Sequence, residues 1–165
     1  MRTISKEELK ELYDKDFPLW VEINLELLKE KAYELVDWEN LLEEIEDMAK
    51  SDLKACISYL AVILEHLYKW DNLRSLTHGK EKGGMGWIKS IRSARTEIEI
   101  LLDMYPSLKE KLPLELQKAW NIALKRIINW AESNRINLSI KDLPMKCPYT
   151  YEEAMTRDIR KELEK

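Results

Sequence analysis

The stretch from Asp37 to Asn72, DWENLLEEIEDMAKSDLKACISYLAVILEHLYKWDN, decides the fold class of this sequence. Apolar side chains recur along it with a period close to 3.6 residues, the repeat of an α-helix. No proline or glycine interrupts the run, and Asp37 can cap its first turn. We therefore predict one long helix from about Asp37 to about Asn72, with a break at Ser51 as the alternative. Its buried stripe is expected to include Leu41, Ile45, Ile57, Leu60 and Ile63.

Helix-capping patterns predict two further helices on the N-terminal side of this stretch. Ser5, with Glu8 three residues later, forms a capping box that opens a short first helix. Asp16 can cap a second helix, and Pro18 is tolerated in its first turn. The long helix is then the third along the chain.

On the C-terminal side, glycine, prolines and a second capping box mark helix ends. A fourth helix is predicted to start after Gly86 and to end before Pro106, and a fifth to start at Pro113. A short last helix follows Thr150, whose capping box is completed by Glu153. Since no stretch shows sustained alternation of period two, the sequence predicts an all-α fold. We expect residues 1–165 to form a single-domain helical bundle of about five to six helices with one long central helix.

Composition limits the classes of protein that the sequence fits. The 165 residues carry a formal net charge of −4, which is too small to imply a partner by itself. The two cysteines, Cys56 and Cys147, lie far apart and form no CxxC pair, as expected of a reduced cytosolic protein. The N-terminal sequence is charged and amphipathic, and no apolar run is long enough to span a bilayer. We therefore expect a cytoplasmic protein that is neither secreted nor embedded in a membrane.

A set of short motifs follows one another along the chain. The motifs are YDKDF from Tyr13 followed by Leu19-Trp20, DWENLLEEIEDM from Asp37, HLYKW from His66, Trp87 with Ser90-Ile91-Arg92 and Arg95, Pro106-Ser107-Leu108, and CPYT from Cys147. In this order they resemble the bacterial domain of unknown function family 29, over roughly residues 11–152. The resemblance implies a small, helical, bacterial protein. It implies no activity and therefore supplies no catalytic residue.

Carboxylates on the long helix are the first candidates for chemistry. Glu39, Glu43 and Glu46 are spaced to share one helical face, and Glu44 and Asp47 form an adjacent row. Carboxylates of facing helices can hold metal ions inside a bundle. This pattern suggests a metal-dependent hydrolase, using Mg²⁺ or Zn²⁺ on a nucleotide or nucleic acid, with candidates Glu43, Glu44, Asp47 and His66. A solvated helix face is the favoured interpretation, because rows of charged side chains on helices usually face solvent. Neither histidine completes a Glu-x-x-His pair.

Basic residues concentrate in a different part of the chain. From Lys69 to Arg95 there are seven basic and two acidic residues, a net of +5, whereas residues 37–52 carry one basic and seven acidic residues, a net of −6. The two regions can offset each other within the molecule, or the basic one can bind an anionic partner. The candidate anion-binding residues are Lys80, Lys82, Lys89 and Arg92.

The sequence thus favours binding over catalysis. We predict a non-catalytic helical interaction module of the bacterial cytoplasm, with no cofactor and no bound metal. The partner is expected to be an unidentified macromolecule, and a more specific hypothesis is that this macromolecule is anionic. Homo-oligomerisation is left open.

Overall fold

The structure, a computed structural model, describes residues 4–77 and 84–163. The helices are α1 (Lys6–Lys15), α2 (Phe17–Lys29), α3 (Trp38–Asn72), α4 (Met85–Met104), α5 (Leu108–Lys111), α6 (Leu116–Ser133), α7 (Tyr151–Thr156) and α8 (Ile159–Leu163). Short 3-10 turns lie at Tyr33–Leu35, Arg74–Thr77, Leu112–Glu115 and Ile140–Asp142. These two ranges contain no strand, so the predicted all-α class is confirmed, and so is the long helix.

The chain divides into two compact units, residues 1–51 and residues 52–165, which we call unit 1 and unit 2. Helix α3 contributes residues to both. The single domain expected for residues 1–165 stays a prediction.

The N-caps predicted at Ser5, Asp16 and Thr150 are present, although at Ser5 the structure shows only the Ser5 half of the predicted capping box. The Ser5 hydroxyl accepts the backbone N–H of Glu8 at 3.1 Å and opens α1. A carboxylate oxygen of Asp16 accepts a backbone N–H of the first turn of α2 at 3.3 Å. Thr150 and Glu153 form a complete capping box at α7, in which each side chain accepts from the backbone of the other. Local hydrogen bonding therefore fixes where these helices begin.

A buried carboxylate, that of Asp37, organises unit 1. Asp37 is 5% exposed, and its Oδ2 accepts the indole N–H of Trp20 at 2.9 Å and the side-chain amide of Asn40 at 2.7 Å. The backbone N–H of Asp37 donates to Asn24 Oδ1 at 2.9 Å, and Asn24 Nδ2 donates to the Trp20 carbonyl at 2.8 Å. This network joins α2 to the start of α3 and pairs polar groups that would otherwise be costly to bury.

Apolar side chains surround that network. Leu9 of α1, Trp20 of α2 and Val36 are almost fully buried. The ring of Tyr13 meets Trp20 edge-on at 5.0 Å between centroids, and Phe17 stacks on Trp20 at 5.5 Å. Trp20 is thus the central side chain of this unit.

Removing the Asp37 carboxylate is expected to open unit 1 locally. Asp37→Ala deletes a side chain at the start of α3 and leaves the Trp20 indole N–H buried without its acceptor, which together cost about 2–4 kcal/mol of local stability. Hydrogen exchange of the amides in residues 17–45 should speed up. Asp47→Ala, an exposed acid on the same helix, is the matched control. Equal exchange in the two variants would contradict the role given to Asp37.

Unit 2 has the larger apolar core. It is built from α3, α4, α6 and the C-terminal segment, and its largest fully buried side chains are Leu60, Ile63, Leu64, Leu67, Ile91, Ile98, Leu112, Trp120 and Ile127. Gly84 precedes α4 with φ +83°, and a Cβ there would lie 2.8 Å from the Trp70 ring. Both the backbone angle and the close approach of Trp70 require glycine at this position.

The predicted buried stripe of α3 is correct only in its C-terminal half. Ile57, Leu60 and Ile63 are buried, and Leu41 is half-buried. Ile45 is 50% exposed, so its assignment to the core was wrong. Helical periodicity places apolar side chains on one face, but it does not decide whether another element covers that face.

Some helix boundaries also differ from the sequence prediction. Helix α4 begins at Met85, before Gly86, and the helix predicted from Pro113 begins as a 3-10 turn that leads into α6 at Leu116. The short helices α5 and α8 were not predicted. Each spans five residues or fewer, too short to show a periodic pattern.

Truncating the core of unit 2 should be strongly destabilising. Leu60 is fully buried in α3, so Leu60→Ala should lower the free energy of unfolding by about 2–5 kcal/mol through lost contacts and a residual cavity. Leu114→Ala, at a side chain that is 83% exposed, should change it by less than about 0.5 kcal/mol. Urea denaturation of both variants measures the difference, and equal midpoints would show that α3 is misplaced.

Candidate interaction site

Unit 1 exposes a dense set of large apolar side chains. Nine of them, each at least 41% exposed, lie within residues 17–48: Phe17, Val21, Leu25, Tyr33, Leu35, Trp38, Leu42, Ile45 and Met48. Six form two rows at helical spacing. The apolar row of α2 is Phe17, Val21 and Leu25, and the apolar row of α3 is Trp38, Leu42 and Ile45. Concentrated exposed apolar surface marks interaction sites more often than ordinary solvent-facing surface does.

The buried network of unit 1 fixes these rows. Phe17, at the start of the α2 row, stacks on the buried Trp20. Trp38, at the start of the α3 row, follows Asp37 directly, and its indole N–H donates to the Tyr33 carbonyl at 2.7 Å. The exposed rows are therefore parts of an ordered scaffold rather than of frayed ends. Sequence reasoning missed them because it took the apolar stripe for core.

The carboxylates proposed for catalysis have ordinary surroundings. Glu43 and Asp47 are exposed, whereas Glu44 is half-buried and accepts the phenolic hydrogen of Tyr13. That hydrogen bond, assisted by burial, raises the pKa of Tyr13 to about 12. The carboxylate of Glu39 accepts a hydrogen bond from the ammonium group of Lys10 at 2.6 Å. The contacts found for Glu39 and Glu44 thus tie α1 to α3 rather than form a reaction centre.

His66, the fourth catalytic candidate, belongs to unit 2, whereas the three carboxylates belong to unit 1. Its Nδ1 lies 2.7 Å from the Val62 carbonyl, so this nitrogen carries the hydrogen, and its Nε2 lies 4.0 Å from the Glu65 carboxylate. Across residues 4–77 and 84–163, no three His, Cys, Asp or Glu side chains are grouped so as to hold a metal ion. The structure therefore adds no support to the hydrolase hypothesis.

A buried ion pair lies beside His66. The Lys69 ammonium contacts the Glu65 carboxylate at 2.7 Å, and both side chains are almost fully buried. The same ammonium lies 4.6 Å from the ring centre of Trp130 and 5.9 Å from that of Trp87. Such a cation is held by the opposite charge and by the aromatic faces together. The i, i+4 spacing of Glu65 and Lys69 inside an apolar stripe was the sequence signal for this pair.

The basic candidates are only partly described. Lys80 and Lys82 lie outside the described residues. Lys89 and Arg92 are exposed on α4 one turn apart, as predicted. Lys89 borders a groove with Tyr59 and the serines of α4, whereas Arg92 borders a second groove with Arg95 and Arg160. Anion binding at these residues stays a prediction.

Other charged residues of unit 2 hold the C-terminal segment. Arg95 donates to the carbonyls of Ala154 at 2.8 Å and Glu153 at 3.4 Å, and burial lowers its pKa. Arg157 makes two hydrogen bonds to the two carboxylate oxygens of Asp71, at 2.7 and 2.8 Å. Arg95, which belongs to one of the short motifs of the sequence, thus holds the C-terminal segment in place.

The CPYT motif joins the same network. The hydroxyl of Tyr149 donates to Asp71 Oδ2 at 2.7 Å. Burial by itself would raise the pKa of Asp71, but the hydrogen bonds from Arg157 and Tyr149 lower it below its ordinary value of 3.8. The hydrogen bond to Asp71 is the main reason that the pKa of Arg157 is raised. The neighbouring Cys147 forms no disulfide, and its thiol donates to the Tyr149 carbonyl at 3.4 Å.

Charge divides unevenly between the units. Residues 1–51 carry 7 basic and 15 acidic side chains, a net of −8, and residues 52–165 carry 20 basic and 16 acidic ones, a net of +4. The apolar rows therefore belong to a strongly acidic unit. The structure defines this division, because it places the boundary between the two units after Ser51.

Over its described residues the chain is an all-α protein with two units. One acidic helical unit presents exposed apolar rows, and the other has a well-packed core. The chain belongs to the family described as domain of unknown function DUF29, whose model matches residues 12–159. This match confirms the resemblance drawn from the short motifs. No curated protein and no solved structure matches the chain.

No helix in the described ranges combines the length and the apolar character needed to cross a bilayer.

The Asp71 network should make unit 2 sensitive to acid. The pKa of Asp71 is lower in the folded state than in the unfolded state. The carboxylate therefore contributes its full stabilisation at pH values above the unfolded-state pKa, and this stabilisation is lost as the pH falls through the folded-state pKa. Asp71→Asn should lower the free energy of unfolding at pH 7 by about 1–3 kcal/mol. The deficit should shrink below about pH 3.8. Denaturation at several pH values, with the exposed Asp103→Asn as control, tests this. A deficit independent of pH would refute it.

Proposed function

We propose that this protein is a non-catalytic helical interaction module of the bacterial cytoplasm, and that unit 1 binds a macromolecular partner through the apolar rows of α2 and α3. One observation carries the proposal: large apolar side chains remain exposed on an ordered scaffold within a short segment. Exposed apolar surface is unfavourable in water, and covering it on binding is the main driving force of association.

The character of the rows supports this proposal. Binding energy at protein interfaces is concentrated in a few large side chains, among which tryptophan is enriched, and Trp38 stands at the start of the α3 row. A scaffold held by Asp37 also limits the ordering that a partner would have to impose.

Site-specific photo-crosslinking in cells that express the protein tests the proposal. A photoreactive phenylalanine analogue at position 42 should give a discrete adduct with one protein. The same analogue at position 114, which is even more exposed but lies in unit 2, should not. The captured protein, once purified, should bind the unmodified chain, and Leu42→Lys should weaken that binding at least about tenfold.

Leu114→Lys is the matched control and should leave the affinity unchanged. Adducts of equal yield and identity at positions 42 and 114 would contradict the proposal. So would a captured partner whose affinity is indifferent to Leu42→Lys.

A further inference from the structure

The apolar rows of unit 1 have a regular acidic border. On α3, each member of the row is followed directly by a glutamate: Trp38 by Glu39, Leu42 by Glu43, and Ile45 by Glu46. On α2, Glu22 and Glu26 follow the last two members of the row in the same way. All five glutamates are exposed. The same order of apolar and acidic residues thus occurs on two helices.

Helix geometry turns this order into a surface pattern. Successive residues are about 100° apart around an α-helix, since one turn takes about 3.6 residues. A row of glutamates displaced by one position therefore runs alongside the apolar row on the adjoining face. Glu39 is already paired with Lys10 at 2.6 Å, so Glu43 and Glu46 are the stronger source of negative charge along α3.

From this pattern we infer that the surface binds a cationic amphipathic helix of a partner protein. The apolar face of the partner helix would cover an apolar row of unit 1, and its lysines or arginines would meet the glutamates that border that row. Helices that bind in this way present apolar anchors at i, i+3, i+4 and i+7. The inference rests on the proposed function and adds the chemistry of the partner.

Charge argues against the other occupants of this surface. A second copy of the chain that docked through the same face would bring two units of net −8 together, with acidic rows on both sides. Nucleic acids and anionic lipids would meet the same repulsion. A cationic helix is attracted by the whole unit as well as by the bordering glutamates.

Designed peptides test the inference with the full-length protein. One peptide of about 18 residues carries leucine at the amphipathic helical spacing and lysine elsewhere. A second has glutamate in place of lysine, and a third has the composition of the first in scrambled order. By fluorescence anisotropy at low salt, the first should bind at least about tenfold more tightly than either of the others.

Variants of the protein separate the apolar and the acidic contributions. Combining Glu22→Gln, Glu43→Gln and Glu46→Gln should weaken binding of the lysine peptide about tenfold and reduce its salt dependence. The matched control changes three exposed glutamates of unit 2 to glutamine, namely Glu97, Glu110 and Glu132. It alters net charge equally and should leave the affinity unchanged. Leu42→Gln with Ile45→Gln should also abolish most of the binding.

Each contrary outcome has a definite meaning. If the glutamate peptide binds as well as the lysine peptide, or if neither binds although position 42 captures a partner, the cationic helix is refuted and the interaction module stands. If the lysine peptide still binds after Leu42 and Ile45 are both changed to glutamine, charge alone attracts it. That outcome also overturns the inference. Concentration-dependent self-association in analytical ultracentrifugation, abolished by Leu42→Lys, would identify a second copy as the occupant instead.

Discussion

A carboxylate removed from water must find hydrogen-bond donors inside the protein, and Asp37 finds them on two helices. The Trp20 indole reaches it from α2, and Asn40 reaches it from the first turn of α3. This requirement fixes how both helices are rotated about their axes. Because neighbouring residues of a helix point in different directions, turning Trp20 and Asp37 inward leaves Val21 and Trp38 exposed. The interaction that holds unit 1 together therefore also determines which side chains unit 1 presents.

Unit 2 uses its charged residues differently. Glu65 and Lys69 pair within the core beside two tryptophans, and Asp71 is bound by Arg157 and Tyr149 from the C-terminal segment. Several of its charges are thus committed to internal contacts, whereas most glutamates of unit 1 face solvent. The exposed glutamates of unit 1 are therefore accessible to a partner, whereas these charges of unit 2 stabilise its fold.

Features that depend on neighbouring residues could be predicted from the sequence. The caps at Ser5, Asp16 and Thr150 and the extent of α3 are local, and the structure confirms them. The exposure of Ile45 is not local, because it depends on whether another element covers that face of the helix. The partners of Asp71 lie 78 and 86 residues away in the sequence, so no spacing rule could have paired them.

The candidate site shows the same limit. The glutamate row of α3 was evident from its spacing, but the sequence favoured a solvated face and offered metal binding only as an alternative. The interpretation changed only when the apolar row beside it proved to be exposed. Spacing identifies which residues share a face, and burial decides what that face can do.

The position of Trp38 has a spectroscopic consequence. Its indole is anchored to the Tyr33 carbonyl yet remains partly in water, whereas Trp20, the other tryptophan of unit 1, is buried. A partner that covers the α3 row would transfer the Trp38 ring from a polar to an apolar environment, and its emission would move to shorter wavelength. Trp20 and the tryptophans of unit 2 would keep their surroundings. The chain thus has a natural fluorophore at its interaction surface, and a ligand without tryptophan could be followed with no added label.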